Sequence, residues 1–234
     1  MKQIRIVHLF PELLSLYGEY GNVAILVKYL RENGFAVTVD RYEEGPLALD
    51  GADFVYMGSG TEDNLLVAAS RAAELHLRPS VYSQTTWLVT GNAMSVLGSG
   101  ITVRGQTHAA ASVFDYDTEF DLDRRFSGDV LAYGDEMLKS PLVGYINTSS
   151  VYRGVGSPLF RLALNPSFGN DKVSDADGMR SGRFFATQLI GPVLVKNPEF
   201  LALIYSYVSG AELQPSSDMV RAHDMALAAL QKRL

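Results

Sequence analysis

Along the first hundred positions, short apolar and β-branched runs alternate with stretches whose apolar residues recur every three or four places. Ile4-Arg5-Ile6-Val7-His8-Leu9-Phe10 reads as a first strand, stopped by Pro11. Leu13, Leu14 and Leu16, then Val23, Leu26, Val27 and Leu30, fall at helical spacing, interrupted by Gly18 and Gly21. The pattern predicts a short helix or loop, then a longer helix from about Asn22 that ends before Gly34. Strands follow over 35–39 and 53–57, the second entered through the turn Asp50-Gly51-Ala52. The glycine loop Gly58-Ser59-Gly60-Thr61 leads into a helix over 62–77, with Glu62 and Asp63 in its first turn where the dipole favours them. Trp87-Leu88-Val89 reads as a buried strand that breaks at Thr90-Gly91, and apolar positions resume with helical spacing at Met94 and Leu97. In α/β enzymes a strand, a sharp turn and a helix that starts at once lift one residue clear of the sheet to react. Here the apex is Gly91, which has no side chain; the plainer reading is a turn that needs glycine for its backbone angles.

This alternation predicts an α/β fold with a mostly parallel central sheet flanked by helices, and ligand loops at the C-terminal strand ends. The 58–61 and 90–92 loops are two of these. From Ile101 the texture changes. Runs at 101–103, 128–133, 142–146, 160–164 and 184–189 are short, strand-like and separated by turn residues, and they suggest an antiparallel extension in the second half. Asp115, Asp117, Glu119, Asp121 and Asp123 alternate with other residues, which fits a solvated edge strand or loop better than a cation site. Helices with apolar stripes are expected over 198–209 and 217–234. With no internal repeat or linker, residues 1–234 are expected to form one domain.

Charge and composition mainly exclude. The net charge of −6, with no Lys/Arg run beyond a pair, argues against a nucleic-acid surface, which needs clustered positive charge to displace counterions. The absence of cysteine removes disulfides, thiolate metal sites and every thiol nucleophile. The opening residues lack the apolar core of a signal peptide, and no stretch approaches the ~18 apolar residues of a membrane span, so a cytoplasmic location without membrane contact is expected. His8 lies in the first strand, His76 at a helix end, His108 in a loop and His223 on the last helix. None pairs at ligand spacing, so neither a metal nor another cofactor is expected.

Several stretches together resemble one family. His8-Leu9-Phe10-Pro11-Glu12-Leu13-Leu14-Ser15-Leu16-Tyr17-Gly18-Glu19-Tyr20-Gly21-Asn22 looks like the opening of the CobB/CobQ-like class I glutamine amidotransferases, and is most similar to the glutaminase branch serving lipid II isoglutaminyl synthase. Gly58-Ser59-Gly60-Thr61-Glu62-Asp63 is similar to that family's GGGQD loop, and Leu88 through Gly98 to its strand and elbow. Phe168-Gly169-Asn170-Asp171, Gln188-Leu189-Ile190-Gly191-Pro192 and Lys196-Asn197-Pro198-Glu199-Phe200 resemble its later segments in the same order. The resemblance implies a class I amidotransferase-like, flavodoxin-like fold over nearly the whole chain, with Gly58, Ser59, Gly60, Thr61 and Asn92 at the substrate-binding loops.

It also implies what is gone. The family's nucleophile position falls on Gly91, or on Thr90 if the register slips by one, and its histidine falls on Ile190. A glutaminase needs a thiolate to attack the amide and a histidine to activate it and protonate ammonia. Losing one member of such a pair has cost about 10⁶ in turnover in a triad hydrolase. Two readings follow. In the first, the chain is a degenerate homologue that binds or regulates a Mur-ligase-like synthetase, or pairs with a second copy of itself. In the second, it is an enzyme of another reaction class, using the hydroxyls of Thr90, Ser95, Ser59 and Thr61 with Glu62 or Asp63 in the same crevice.

Overall fold

The structure is a computed structural model that describes residues 2–75, 77, 84–134 and 136–234; His76 lies outside them. The first half runs β1 (Gln3–Leu9), a 3-10 turn at Leu16–Gly18, α1 (Gly21–Glu32), β2 (Ala36–Tyr42), β3 (Phe54–Met57), α2 (Glu62–Glu74) and β4 (Thr86–Thr90). Gly34 ends α1 with a φ of 83°. The Thr61 hydroxyl accepts from the Asn64 amide and caps α2. A 3-10 helix at Gly91–Leu97 follows β4. The second half holds β5 (Gly100–Val103), β6 (Gln106–Ala109), β7 (Asp117–Phe120), β8 (Phe126–Tyr133), β9 (Leu142–Thr148), β10 (Ser150–Arg153), β11 (Phe160–Leu164), β12 (Ala176–Asp177), β13 (Met179–Ser181) and β14 (Phe184–Thr187). The helices α3 (Val193–Lys196), α4 (Pro198–Ser209) and α5 (Ser217–Gln231) close the chain.

The central sheet has six strands in the order β13-β14-β4-β3-β1-β2. All its pairings are parallel except β13 with β14. Numbered along the chain, the parallel strands stand in the doubly wound, flavodoxin-like order, with the switch point between β1 and β3. Side chains alternate across the sheet as the two-residue period requires. Ile6, Phe54, Tyr56, Leu88 and Phe185 meet α1 and α4 on one face. Val7, Val55, Met57, Trp87 and Val89 meet α2 and the 3-10 helix on the other. The extension is two four-stranded sheets, β10-β7-β5-β6 and β12-β11-β8-β9. Ile101, Phe120 and Tyr152 of the former join the Trp87 side of the core, and Val130, Ile146 and Leu162 of the latter join the Leu88 side.

Five expectations are corrected. Phe184–Thr187 is not part of an antiparallel extension: it is β14, parallel to β4 in the central sheet, and its four residues are all buried, as befits a strand covered on both faces. The extension is also not wholly antiparallel, because β5 pairs with β7 in parallel. The acidic stretch supplies β7, an inner strand flanked by β10 and β5; Thr118 and Phe120 point inward while Asp117 and Glu119 face solvent. Its alternation is that of a half-buried strand. The segment after Gly91 is a 3-10 helix rather than an α-helix, because the chain must turn into β5 within a few residues and buries all but Asn92 on the way. Finally, His108 sits on β6 and not in a loop.

Candidate functional site

The C-terminal ends of β1, β3 and β4 converge beside the switch point, where open α/β sheets bind ligands. The loops after β3 and β4 are locked together. Asn92 Oδ1 accepts from the Gly60 amide at 3.1 Å, and Asn92 Nδ2 donates to the Gly60 carbonyl at 2.8 Å. The Ser59 carbonyl accepts from the Leu16 amide at 3.1 Å, and the Ser59 amide donates to Glu19 Oε2 at 2.5 Å. The main-chain groups of Ser59 and Gly60, the Thr61 hydroxyl and the Asn92 side-chain amide are thus engaged within the chain.

The two positions singled out for chemistry do adjoin. Gly91 holds a left-handed φ of 64°, and a Cβ placed on it would lie 2.9 Å from Ile190 Cγ2. Ile190 is buried and anchored to β9 by its amide, which donates to the Tyr145 carbonyl at 2.8 Å. At these two positions the chain carries a hydrogen and a sec-butyl group.

Of the four alternative hydroxyls, Thr61 is exposed, while Ser59, Thr90 and Ser95 are buried. Thr90 is fully buried, its Oγ1 2.7 Å from Tyr56 Oη. Ser95 is fully buried, its Oγ 3.4 Å from Tyr152 Oη. Burial pushes the Tyr152 phenol up to about 12, so it stays neutral.

Sequence reasoning missed the group that underlies the loops. Glu19 is fully buried, and burial pushes its carboxyl up to about 7 against the pull of its hydrogen bonds with Ser59. Tyr56 sits beside it, raised well above its usual value first by burial and then by Glu19. Tyr56 Oη accepts from Asn22 Nδ2 at 3.0 Å, and Asn22 Oδ1 accepts from the Leu194 amide at 2.9 Å. His8 packs edge-on to Tyr56 with ring centroids 5.1 Å apart. Burial first, and then Arg41, lowers its imidazole to about 4, so it is neutral near pH 7. Among the described residues, His8 Nε2, Glu19 Oε1 and Ser59 Oγ are buried without a hydrogen-bond partner. In the sequence, Glu19 is marked only by its place in the stretch that resembles the family opening and as a lone charge set between Tyr17-Gly18 and Tyr20-Gly21.

Above the crevice the surface is aromatic. Leu16, Tyr17 and Tyr20 are 36%, 46% and 62% exposed, and Val195 is 41% exposed. The tyrosines therefore do not pack away beneath α1. Tyr17 Oη instead accepts from Asn147 Nδ2 of β9 at 3.0 Å.

Strand order and strand-end loops define a doubly wound α/β protein whose crevice is closed by its own side chains. No family model matches the chain. Among proteins of known function, it is 24% identical over 204 residues to the lipid II isoglutaminyl synthase (glutamine-hydrolyzing) subunit GatD of Staphylococcus aureus strain N315, covering 85% of this chain and 82% of that protein. That likeness supports a related family, that of a glutamine amidotransferase-like subunit. A solved structure, a ThuA-like protein from Parabacteroides merdae, aligns with a TM-score of 0.43 and 13% identity over 92% of this chain and 93% of its own. No helix among the described residues is long and apolar enough to cross a membrane.

Proposed function

We propose that this chain is a catalytically degenerate CobB/CobQ-like amidotransferase homologue that acts in the cytoplasm as a non-catalytic binding or regulatory subunit of a Mur-ligase-like synthetase. One observation carries the reading: the position of the nucleophile is a glycine with no room for a side chain, set against Ile190 where a base would stand. With no cysteine in the sequence, no thiol is left to recruit. The retained loops and the exposed Leu16, Tyr17 and Tyr20 support binding as the surviving role, since tyrosine is enriched where interfaces gain their energy. The relative's description as a subunit points the same way.

The purified protein is expected to release no ammonia from glutamine above a no-enzyme blank. Mixed with a Mur-ligase-like synthetase from its own cell, it is expected to co-elute as a complex, and Tyr17→Ala/Tyr20→Ala weakens that complex at least tenfold. Glutamine turnover by the wild type would refute the loss of catalysis. A monomer at tens of micromolar that neither self-associates nor retains the synthetase would refute the binding role.

A further inference from the structure

Gly91 has no side chain, yet the space such a side chain would take is occupied. A Cβ on Gly91 would fall 1.7 Å from Ser59 Oγ and 2.9 Å from Ser59 Cβ, far inside the roughly 3.5–4.0 Å at which non-bonded heavy atoms rest. Ser59 is 1% exposed, and although the Glu19 carboxyl is a polar neighbour, the Ser59 hydroxyl has no hydrogen-bond partner. The backbone fixes it instead. Glu19 Oε2 holds the Ser59 amide and the Leu16 amide holds its carbonyl. Next to it, Gly58 packs so closely that a Cβ there would lie 2.9 Å from the Leu14 carbonyl oxygen and 3.1 Å from Tyr56 Oη. The loop therefore has no room to retreat.

We propose that Ser59 is a plug: seated by Glu19 and Leu16, its side chain fills the place of the vacated reactive side chain, so that only one of positions 59 and 91 carries a side chain at a time. The proposal rests on the reading above only in taking position 91 as the vacated one; the packing stands by itself. Restoring a side chain at 91 then requires glycine at 59.

A double-mutant cycle tests this directly. The left-handed φ of 64° and the Ile190 contact burden Gly91→Ala equally in both backgrounds, so they cancel and the 59–91 term remains. Gly91→Ala is expected to lower the melting temperature by about 5 °C or more in the wild-type background, and by less than half as much beside Ser59→Gly. Folding only when Ser59→Gly is present is the same coupling in stronger form. Equal losses, or failure to fold in both backgrounds, overturn the proposal.

A second measurement does not depend on position 91. The sequence has no cysteine, so Ser59→Cys introduces the sole thiol. It is expected to react with a water-soluble disulfide reagent about a hundredfold more slowly than the thiol of Thr61→Cys at the exposed position two residues on. Comparable rates overturn the plug. Glutamine turnover by the wild type with the coupling intact would sink the functional reading and leave the plug standing. No turnover and no coupling would do the reverse.

Discussion

At the scale of single residues, Glu19 and His8 set opposing pH responses beneath the same loops. The folded carboxyl of Glu19 stands near 7 against its ordinary 4.5, so the folded state holds more protons between those values and stability falls as pH rises. The folded His8 imidazole stands near 4 against 6.5, so the unfolded state holds more protons there and stability rises with pH. At about 1.36 kcal/mol per unit, each contribution is of order 3 kcal/mol, and they nearly cancel between pH 4.5 and 6.5. Glu19→Gln keeps an acceptor for the Ser59 amide but no longer titrates. We expect its unfolding free energy, measured by urea titration, to climb with pH over that window by about 3 kcal/mol more than that of the wild type. Superimposable profiles would show that Glu19 does not titrate there. The family resemblance, not the residue pattern, drew attention to Gly91 and Ile190, and the fold brings them close, a Cβ on Gly91 lying 2.9 Å from Ile190 Cγ2. The burial of Glu19 was not legible, because a carboxylate between glycines looks the same in sequence whether it faces water or lies under a loop.

At the scale of elements, periodicity located what local physics controls and missed what depends on distant partners. The bounds of α4 and β11 agree with the residue pattern to the residue, since proline, glycine and apolar spacing mark them within the segment. The two-residue β12 and the short β13 carry too little pattern to read. For β14 the strand was legible and its neighbour was not: pairing with β4 is decided by a chain reversal across nearly a hundred intervening residues. Asn197 shows how such long connections are fixed. It heads α4 without making a side-chain cap. Its side chain binds β9 like an added strand residue: Oδ1 accepts from the Val143 amide at 2.8 Å, and Nδ2 donates to the Val143 carbonyl at 3.0 Å and the Val193 carbonyl at 2.9 Å. All of this is buried, so truncation strands backbone groups without water. Asn197→Ala is expected to cost about 3 kcal/mol. Asn197→Asp, which keeps the acceptor but sets a carboxylate against two carbonyls, should lose as much or more. A midpoint unchanged in either variant would remove Asn197 as the tie between α4 and β9.

At the scale of the whole molecule, the central sheet is the partition between two hydrophobic clusters and belongs to both. Trp87 and Val89 of β4 face one cluster while Leu88 between them faces the other, and β1, β3 and β14 divide their side chains in the same way. Each small outer sheet packs against one side alone, so neither cluster closes without the strands it shares with its opposite. Melting one face uncovers strands that are apolar on both sides, and burial of that surface is the main favourable term in folding. We therefore expect residues 1–234 to unfold as a single cooperative unit rather than as a parallel half followed by its extension. The sequence provides a clean probe, because Trp87 is the sole tryptophan and is buried in the middle strand of the partition. Its fluorescence reports the sheet, while far-ultraviolet circular dichroism reports the helices and outer strands together. The two signals should trace one superimposable urea transition. If the dichroism falls in a separate step while Trp87 fluorescence stays native, the outer sheets are independent of the partition and the shared-strand account fails.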